Sequence, residues 1–165
     1  MLTARLTVRE ARRDEYDAVA EVTVAAFRTI AALGDYEPVL RDVAGRAATC
    51  IVLVAITDGA IVGTATYVPG PGPYAETDDP DDACLRMLAV LPEAEGRGIG
   101  TALTRRCLAL ARAAEKRRLV LHTRPSMAAA QRIYERLGFR REPGLDQEYP
   151  GITLLGYVRD LRPPP

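Results

Sequence analysis

The residues best suited to chemistry lie between Leu88 and Thr101, where an apolar run enters Pro92-Glu93-Ala94-Glu95-Gly96-Arg97-Gly98-Ile99-Gly100-Thr101. The pattern reads as a strand running into a glycine-rich turn that opens a helix. The first N–H groups of a helix have no partner within it, and the aligned peptide dipoles add partial positive charge there. Glycines at 96, 98 and 100 let the backbone approach a bulky anion, so the amides can cradle a phosphate or pyrophosphate. Spacing excludes two ligand classes. A dinucleotide fingerprint needs GxGxxG, but Thr101 stands three after Gly98 and Leu103 three after Gly100. A P-loop needs a lysine followed by Ser or Thr, and no lysine stands here.

The string Leu88-Ala89-Val90-x-Pro92-x-x-x-Gly96-x-Gly98-Ile99-Gly100-x-x-Leu103 resembles the acyl-CoA signature of the GNAT superfamily of N-acetyltransferases. The later run Ala130-x-x-x-Tyr134-x-x-Leu137-Gly138-Phe139 is similar to a second motif of that family, and the order of elements matches over essentially the whole chain. The resemblance implies an α/β fold, a GNAT-like mixed, splayed β-sheet of six to seven strands with helices on both faces. It implies acetyl-CoA as co-substrate, no metal, and direct transfer of the acetyl group to a primary amine in a ternary complex. Carried over by position, the backbones of Leu88, Ala89 and Val90 would hold the pantetheine arm. The pyrophosphate loop would run from Glu95 through Gly96, Arg97, Gly98, Ile99 and Gly100 to Thr101, and the thioester would lie where the strands at 85–90 and 119–123 splay apart. Two positions depart from the family. Glu95 stands where Gln or Arg is usual, a repulsion of about 1 kcal/mol for well-hydrated charges at ~4 Å. Met127 stands where the family often has Asn, which removes one polar contact to the cofactor.

By the same resemblance, Tyr134 would carry proton chemistry. Amine attack on a thioester expels a thiolate, and a phenol can donate a proton to it as it leaves. Ala130, Ile133, Tyr134 and Leu137 share one helix face, directing Tyr134 toward the sheet; the competing reading is a core tyrosine. The general base is left open. The family often places a Glu on the strand before the loop, where this chain has Cys84-Leu85-Arg86. Cys84 reads as a small buried residue and His122 as a packed strand histidine. Glu76, Asp78, Asp79, Asp81 and Asp82 read as a solvated acidic loop, with attraction of a cationic amine as the sharper alternative. A non-catalytic CoA-binding or sensing module of the same fold is the rival function, favoured by the missing strand Glu and by Met127.

Composition narrows the rest. The 165 residues are 48% hydrophobic and 27% charged, which excludes a disordered or collagen-like chain. The 22 basic and 22 acidic side chains cancel, against the cation excess that coating DNA requires. With one serine (Ser126), one histidine (His122) and one lysine (Lys116), a Ser-His-Asp triad could use only Ser126 with His122, and a His-rich metal site is impossible. Cys50, Cys84 and Cys107 each sit in an apolar run and form no CxxC pair, as expected of reduced thiols. Lys116-Arg117-Arg118 reads as a cationic helix end complementing the dipole. The N-terminal residues show no signal peptide, and the longest apolar run, 51–56, is too short to cross a bilayer. The expectation is one cytoplasmic domain over 1–161 with a frayed tail at 162–165. It would be a monomer or homodimer with a small-molecule or peptide amine acceptor, and neither nucleic acid nor membrane as partner.

The elements that must position these residues follow from periodicity and turn chemistry. Strands are expected at 5–9, 50–57, 61–68, 85–90, 119–123, 139–142 and 152–159, with an Asp58-Gly59 type I′ turn between the second and third. Helices are expected from an Asp14 cap to about Gly34, at 37–46, at 99–115 with Ile99, Leu103, Cys107, Leu110 and Ala114 inward, and from a Ser126 cap to Leu137. Gly138 would end the last helix in the left-handed region. The strand–helix–strand unit from Leu85 to Thr123 makes its two strands parallel.

Overall fold

The computed structural model describes residues 5–162. Its strands are β1 (Thr7–Glu10), β2 (Ile51–Thr57), β3 (Ala60–Val68), β4 (Asp82–Val90), β5 (Arg118–Thr123), β6 (Arg140–Arg141), β7 (Gln147–Tyr149) and β8 (Ile152–Asp160). Its helices are α1 (Tyr16–Arg28), α2 (Glu37–Arg41), α3 (Val43–Ala47), α4 (Ile99–Ala113) and α5 (Ala128–Arg136). Parallel and antiparallel pairs mix in an open, splayed α/β sheet of eight strands, β7 being additional to the six or seven expected. None of the helices is long and apolar enough to cross a membrane among the described residues.

Two compact units share the chain. The first takes the residues up to Tyr67 together with Met87–Arg106; the second takes Val68–Arg86 and the chain from Cys107 onward.

In the first unit the strand order is β1-β2-β3 and then the 87–90 end of β4. β1 pairs antiparallel with β2 from Thr7↔Ile56 to Glu10↔Leu53, and β2 with β3 from Ile51↔Tyr67 to Thr57↔Ala60. The hairpin turns on Asp58 and Gly59, both at positive φ (50° and 77°), as their sequence predicts. Val19, Ala20, Val43, Val52 and Val54 form one buried cluster, and Val24, Leu40 and Met87 another. Local details differ from expectation. Glu15, not Asp14, organises the start of α1: its carboxylate accepts the Arg12 N–H at 2.8 Å and two Arg9 guanidinium bonds at 2.8 and 2.9 Å. The helix expected at 37–46 breaks at Asp42, whose carboxylate accepts the Gly45 N–H at 3.0 Å and starts α3 afresh.

In the second unit the order is the 82–86 part of β4, then β5, β8 and β6, with β7 also on β8. β4 and β5 are parallel, as expected, through the rungs Asp82↔Arg118, Ala83↔Leu119 and Cys84↔Val120, where the ladder stops. β5 pairs antiparallel with β8 from Arg118↔Asp160 to Thr123↔Leu155. β6 pairs with β8 at Tyr157 and Val158, and β7 pairs with it at Ile152 to Leu154. Gly138 takes φ 86°, ending α5 as predicted. Ser126 does not cap that helix. Met127 occupies the capping position, and the Gln131 amide donates to Arg124 and Pro125 carbonyls at 3.0 and 3.2 Å. On α4 the buried stripe is Ile99, Leu103, Thr104, Cys107, Leu108 and Ala111; Ala114 is exposed and lies beyond the helix.

The acidic loop and the basic triplet, read separately from the sequence, belong together. Asp82 is buried and accepts bonds from Arg118 Nε (2.9 Å) and Thr77 Oγ1 (2.8 Å), with Arg117 at 3.3 Å. Arg117 also reaches Asp79 at 2.7 Å, and Lys116 donates to the Pro80 carbonyl at 2.9 Å. Burial pushes the Asp82 carboxyl up, but the bonds from Arg118 and Thr77 and the nearby guanidinium charges outweigh it and hold the group below its ordinary value.

Candidate active site

The glycine-rich loop is positioned from β4. Along 87–90 the backbone alternates, with Met87 and Ala89 buried and Leu88 and Val90 half-buried. Leu91 N–H donates to the Val62 carbonyl at 2.9 Å, anchoring the strand end before a 3-10 turn at Pro92–Ala94. Glu95 is extended, Gly96 and Gly98 take φ 77° and 78°, and Ile99 begins α4. The Ala102 N–H closes onto the Gly98 carbonyl at 3.0 Å. The amides of Ile99, Gly100 and Thr101 lie in the first helical turn, where no carbonyl of the helix can reach them. Glu95, Gly96, Arg97 and Gly98 are exposed, and a Cβ at Gly96 or Gly98 would meet nothing within 4 Å. Open space beside Gly96 and Gly98, next to first-turn amides without helix partners and with the Glu95 side chain exposed, suits a pyrophosphate.

Tyr134, near the end of α5, is buried, with its ring 5.7 Å from that of Phe139 and 6.4 Å from that of Tyr157. Burial pushes its phenol well above the ordinary tyrosine value, and Cys107 adds to the rise. The thiols of Cys84 and Cys107 are each pushed up to about 12, chiefly by burial, which leaves them inert at neutral pH. Met127 sits against Thr123, whose hydroxyl donates to its sulfur at 3.8 Å.

A second group of residues gathers where the β4–β5 ladder has ended. Arg86 and His122 each stand two residues past the last rung, and Glu76 from the preceding loop bridges them. Its Oε1 lies 3.3 Å from Arg86 Nε, and its Oε2 faces His122 Nδ1. Arg86 also donates to the Tyr74 carbonyl at 3.2 Å and lies over the Tyr74 ring. On its other side, His122 Nε2 is 2.7 Å from the Leu145 carbonyl. That carbonyl reaches the imidazole because Gly156, the β8 partner of His122, has no side chain; a Cβ there would stand 2.7 Å from Leu145 Cβ. Burial pushes the imidazole below its ordinary value, opposed by the Leu145 carbonyl and the charge of Asp146. Tyr157 pairs with Leu121 and packs near Tyr134, so Tyr134 lies on the Leu121 face of β5 and His122 on the opposite face.

The sequence places Glu76 in a solvated acidic loop, with attraction of a cationic amine as the alternative, and reads His122 as a packed strand histidine. No spacing rule joins a loop carboxylate to an imidazole on a strand so much later, and only the fold brings them together. Among the described residues no group of three or more His, Cys, Asp or Glu side chains gathers to hold a metal ion.

Comparison with known proteins identifies the family and the fold. The family described as Acetyltransferase (GNAT) matches residues 8–139. The curated "Probable N-acetyltransferase camello" of Xenopus tropicalis is 30% identical over 114 residues, 66% of this chain and 49% of its own, so the chain spans about half the length of that relative. A GNAT family acetyltransferase of Brucella melitensis, solved in complex with acetyl-CoA, is 28% identical with a TM-score of 0.65, covering 96% of this chain and 92% of its own. A GNAT family acetyltransferase of Staphylococcus aureus Mu50 superimposes with a TM-score of 0.77 at 19% identity, covering 96% and 100% of the two chains. The ribosomal-protein-alanine N-acetyltransferase of Brucella melitensis gives a TM-score of 0.73 at 24% identity over 94% and 99%. With the family match running from β1 to the residue after Gly138, the chain belongs to the GNAT acetyltransferase family.

Proposed function

We propose that this protein is an acetyl-CoA-dependent N-acetyltransferase that moves the acetyl group directly to a primary amine within a ternary complex. The observation that carries this reading is the open loop at 96–101, with two glycines at positive φ and the first-turn amides of α4 turned to no partner in the helix. Leu88, Ala89 and Val90 would hold the pantetheine arm by their backbones. Glu95, Gly96, Arg97, Gly98, Ile99, Gly100 and Thr101 would form the pyrophosphate loop. Acetyl-CoA supplies the activated acyl group. Tyr134 supplies a proton to the departing sulfur, and its buried phenol remains protonated at ordinary pH. The family match crosses both units, which supports one acetyltransferase domain over 1–161; residues 163–165 of the expected tail lie outside the described residues. The acceptor is a small amine or a peptide amine, the latter supported by a structural relative named for ribosomal-protein alanine. The balanced charge supports an enzyme working without nucleic acid, the three buried free thiols support a cytoplasmic one, and we take it as a monomer or homodimer away from membranes.

The test is binding followed by turnover. Acetyl-CoA at 100 times its Kd should stabilise the protein by about 2.7 kcal/mol, read as a melting shift. Gly98→Glu should abolish the shift while leaving a folded chain, because it puts a carboxylate where phosphate must sit. Equal shifts in both proteins would remove the loop from the site. Release of free thiol from acetyl-CoA across an amine panel separates the enzyme from a CoA-binding module without turnover.

A further inference from the structure

The Glu76–His122 contact is unusual in its proton inventory. A carbonyl oxygen can only accept, so His122 Nε2 carries a proton and donates it to Leu145 at 2.7 Å. That fixes the tautomer and turns the Nδ1 lone pair toward Glu76 Oε2. Both atoms are buried, and neither has a hydrogen-bond partner elsewhere. Two lone pairs facing each other away from water repel, whereas one proton between them makes a strong charge-assisted bond. The pair is therefore built to take up one proton between Nδ1 and Oε2. Its place matters as much. It spans the opening just beyond the Cys84↔Val120 rung, on the face of β5 opposite Tyr134. The Glu76 side chain keeps 13% of its surface exposed against 4% for the imidazole, so Glu76 is the nearer of the two to solvent, with His122 behind it.

We propose that Glu76, backed by His122, accepts the proton of the incoming ammonium, an assignment that rests on the acetyl-transfer reading above. The N–H bond of the ammonium breaks, its electron pair stays on nitrogen, and the proton joins the Glu76 carboxylate and is shared with Nδ1. The freed lone pair forms the new bond to the thioester carbonyl carbon. The C–S bond then breaks with its electrons on sulfur, which Tyr134 protonates; the new amide nitrogen sheds its second proton to solvent, which later also removes the proton from the pair and restores the phenol. Other charged groups face the pair from two directions. Arg86 on β4 holds Glu76 Oε1, and Asp146, tied to Arg141 at 2.7 and 2.9 Å, acts on His122 from the stretch before β7. Arg86 and His122 are positioning residues, and Glu76 is the group that meets the amine.

The experiment uses the full chain and the first of spermidine, L-lysine or a peptide with a free α-amino group that the wild type acetylates. In Glu76→Gln the amide oxygen can face Arg86 and its N–H can donate to Nδ1, so the packing survives. The melting temperature and its acetyl-CoA shift should stay, kcat/KM should fall about 10²–10⁴-fold, and the acidic limb of its pH profile should vanish. Glu76→Asp should restore part of the rate. Because His122 is the chain's one histidine, ¹⁵N NMR reads its ring alone. Its Nδ1 signal should titrate with the midpoint of the acidic limb in the wild type and lose that transition in Glu76→Gln. Wild-type kcat/KM with an unchanged limb in Glu76→Gln, or an Nδ1 signal that ignores the limb, overturns the assignment while acetyl transfer stands. A wild type that binds acetyl-CoA but acetylates none of the three overturns the acetyl-transfer reading itself, and the assignment with it.

Discussion

Arg86 and His122 stand at the same step of two parallel strands, each two residues beyond the last rung, with one oxygen of Glu76 against each. Had the ladder continued, backbone bonds would fill this level; here one carboxylate bridges it instead. The next residue, Met87, has φ 53°, a left-handed conformation that a long side chain adopts at a cost of about 1–2 kcal/mol.

Tyr134→Phe keeps the ring and its contacts with Phe139 and Tyr157 but removes the proton donor. kcat should fall about 10²–10⁴-fold, with little change in the Kd for acetyl-CoA and about 1 kcal/mol or less in stability. Because burial raises the phenol, it stays protonated across the working range, and no alkaline loss of rate below about pH 10 should trace to it. A variant with wild-type kcat, measured where chemistry limits turnover, would assign the proton to water or another group.

Asp82→Asn removes the carboxylate that Arg118 and Arg117 share. Breaking one side of a buried ion pair costs about 3 kcal/mol, and urea titration should show the midpoint moving accordingly. A change under 0.5 kcal/mol would mean that Thr77 and solvent compensate fully.

Glu15 links Arg9 to the start of α1, and its carboxyl is lowered to about 2, chiefly by the bond from Arg9. A carboxyl lowered on folding contributes stability above its unfolded value and loses it as pH falls through the folded one. Glu15→Gln should therefore lower stability by about 1 kcal/mol at pH 7, a value kept small because Arg9 is partly exposed. That deficit should shrink between about pH 4.5 and pH 2, tracked by thermal melts across the range. A deficit independent of pH would assign the effect to packing.

Gly156→Ala should destabilise by about 1–3 kcal/mol, since the new methyl would stand 2.7 Å from Leu145 Cβ and 2.9 Å from the Glu142 carbonyl. The same crowding should push the Leu145 carbonyl off His122 and alter the ring's ¹⁵N signals. An alanine variant with wild-type stability and an unchanged imidazole would separate Gly156 from the histidine.

What local chemistry dictates was legible in the sequence. Asp58-Gly59 needs positive φ at both central residues, and Gly138 ends a helix, whatever surrounds them. The helical crossover α4 returns the chain to the end of the sheet where β4 began, so β4 and β5 run parallel. Tertiary competition was not legible. Asp14 and Ser126 are sound capping residues by type, but Glu15 gains more from Arg9 than Asp14 could offer, and α5 starts one residue later, with Met127 at its cap and Gln131 donating to the Arg124 and Pro125 carbonyls before it. β7 escaped because Gln147-Glu148-Tyr149 has no apolar alternation and owes its existence to the β8 edge. In the site, glycines and motif spacing gave the loop and Tyr134. The Glu76–His122 pair depends on where a long acidic loop folds back, and no periodicity records that.

The division of the chain into two interleaved units bears on its birth at the ribosome. The first unit is closed by residues 87–106, which are made only after 68–86 of the second. At about 5–20 residues per second, roughly 2–8 seconds separate the synthesis of Tyr67 from that of Arg106. Until Val90 is made, β3 waits without its β4 neighbour, and an unpaired strand edge is a template for joining the wrong chain. A fragment ending at Arg86 makes the same exposure permanent, so crowded polysomes and C-terminal truncations are where this protein should first be found in aggregates.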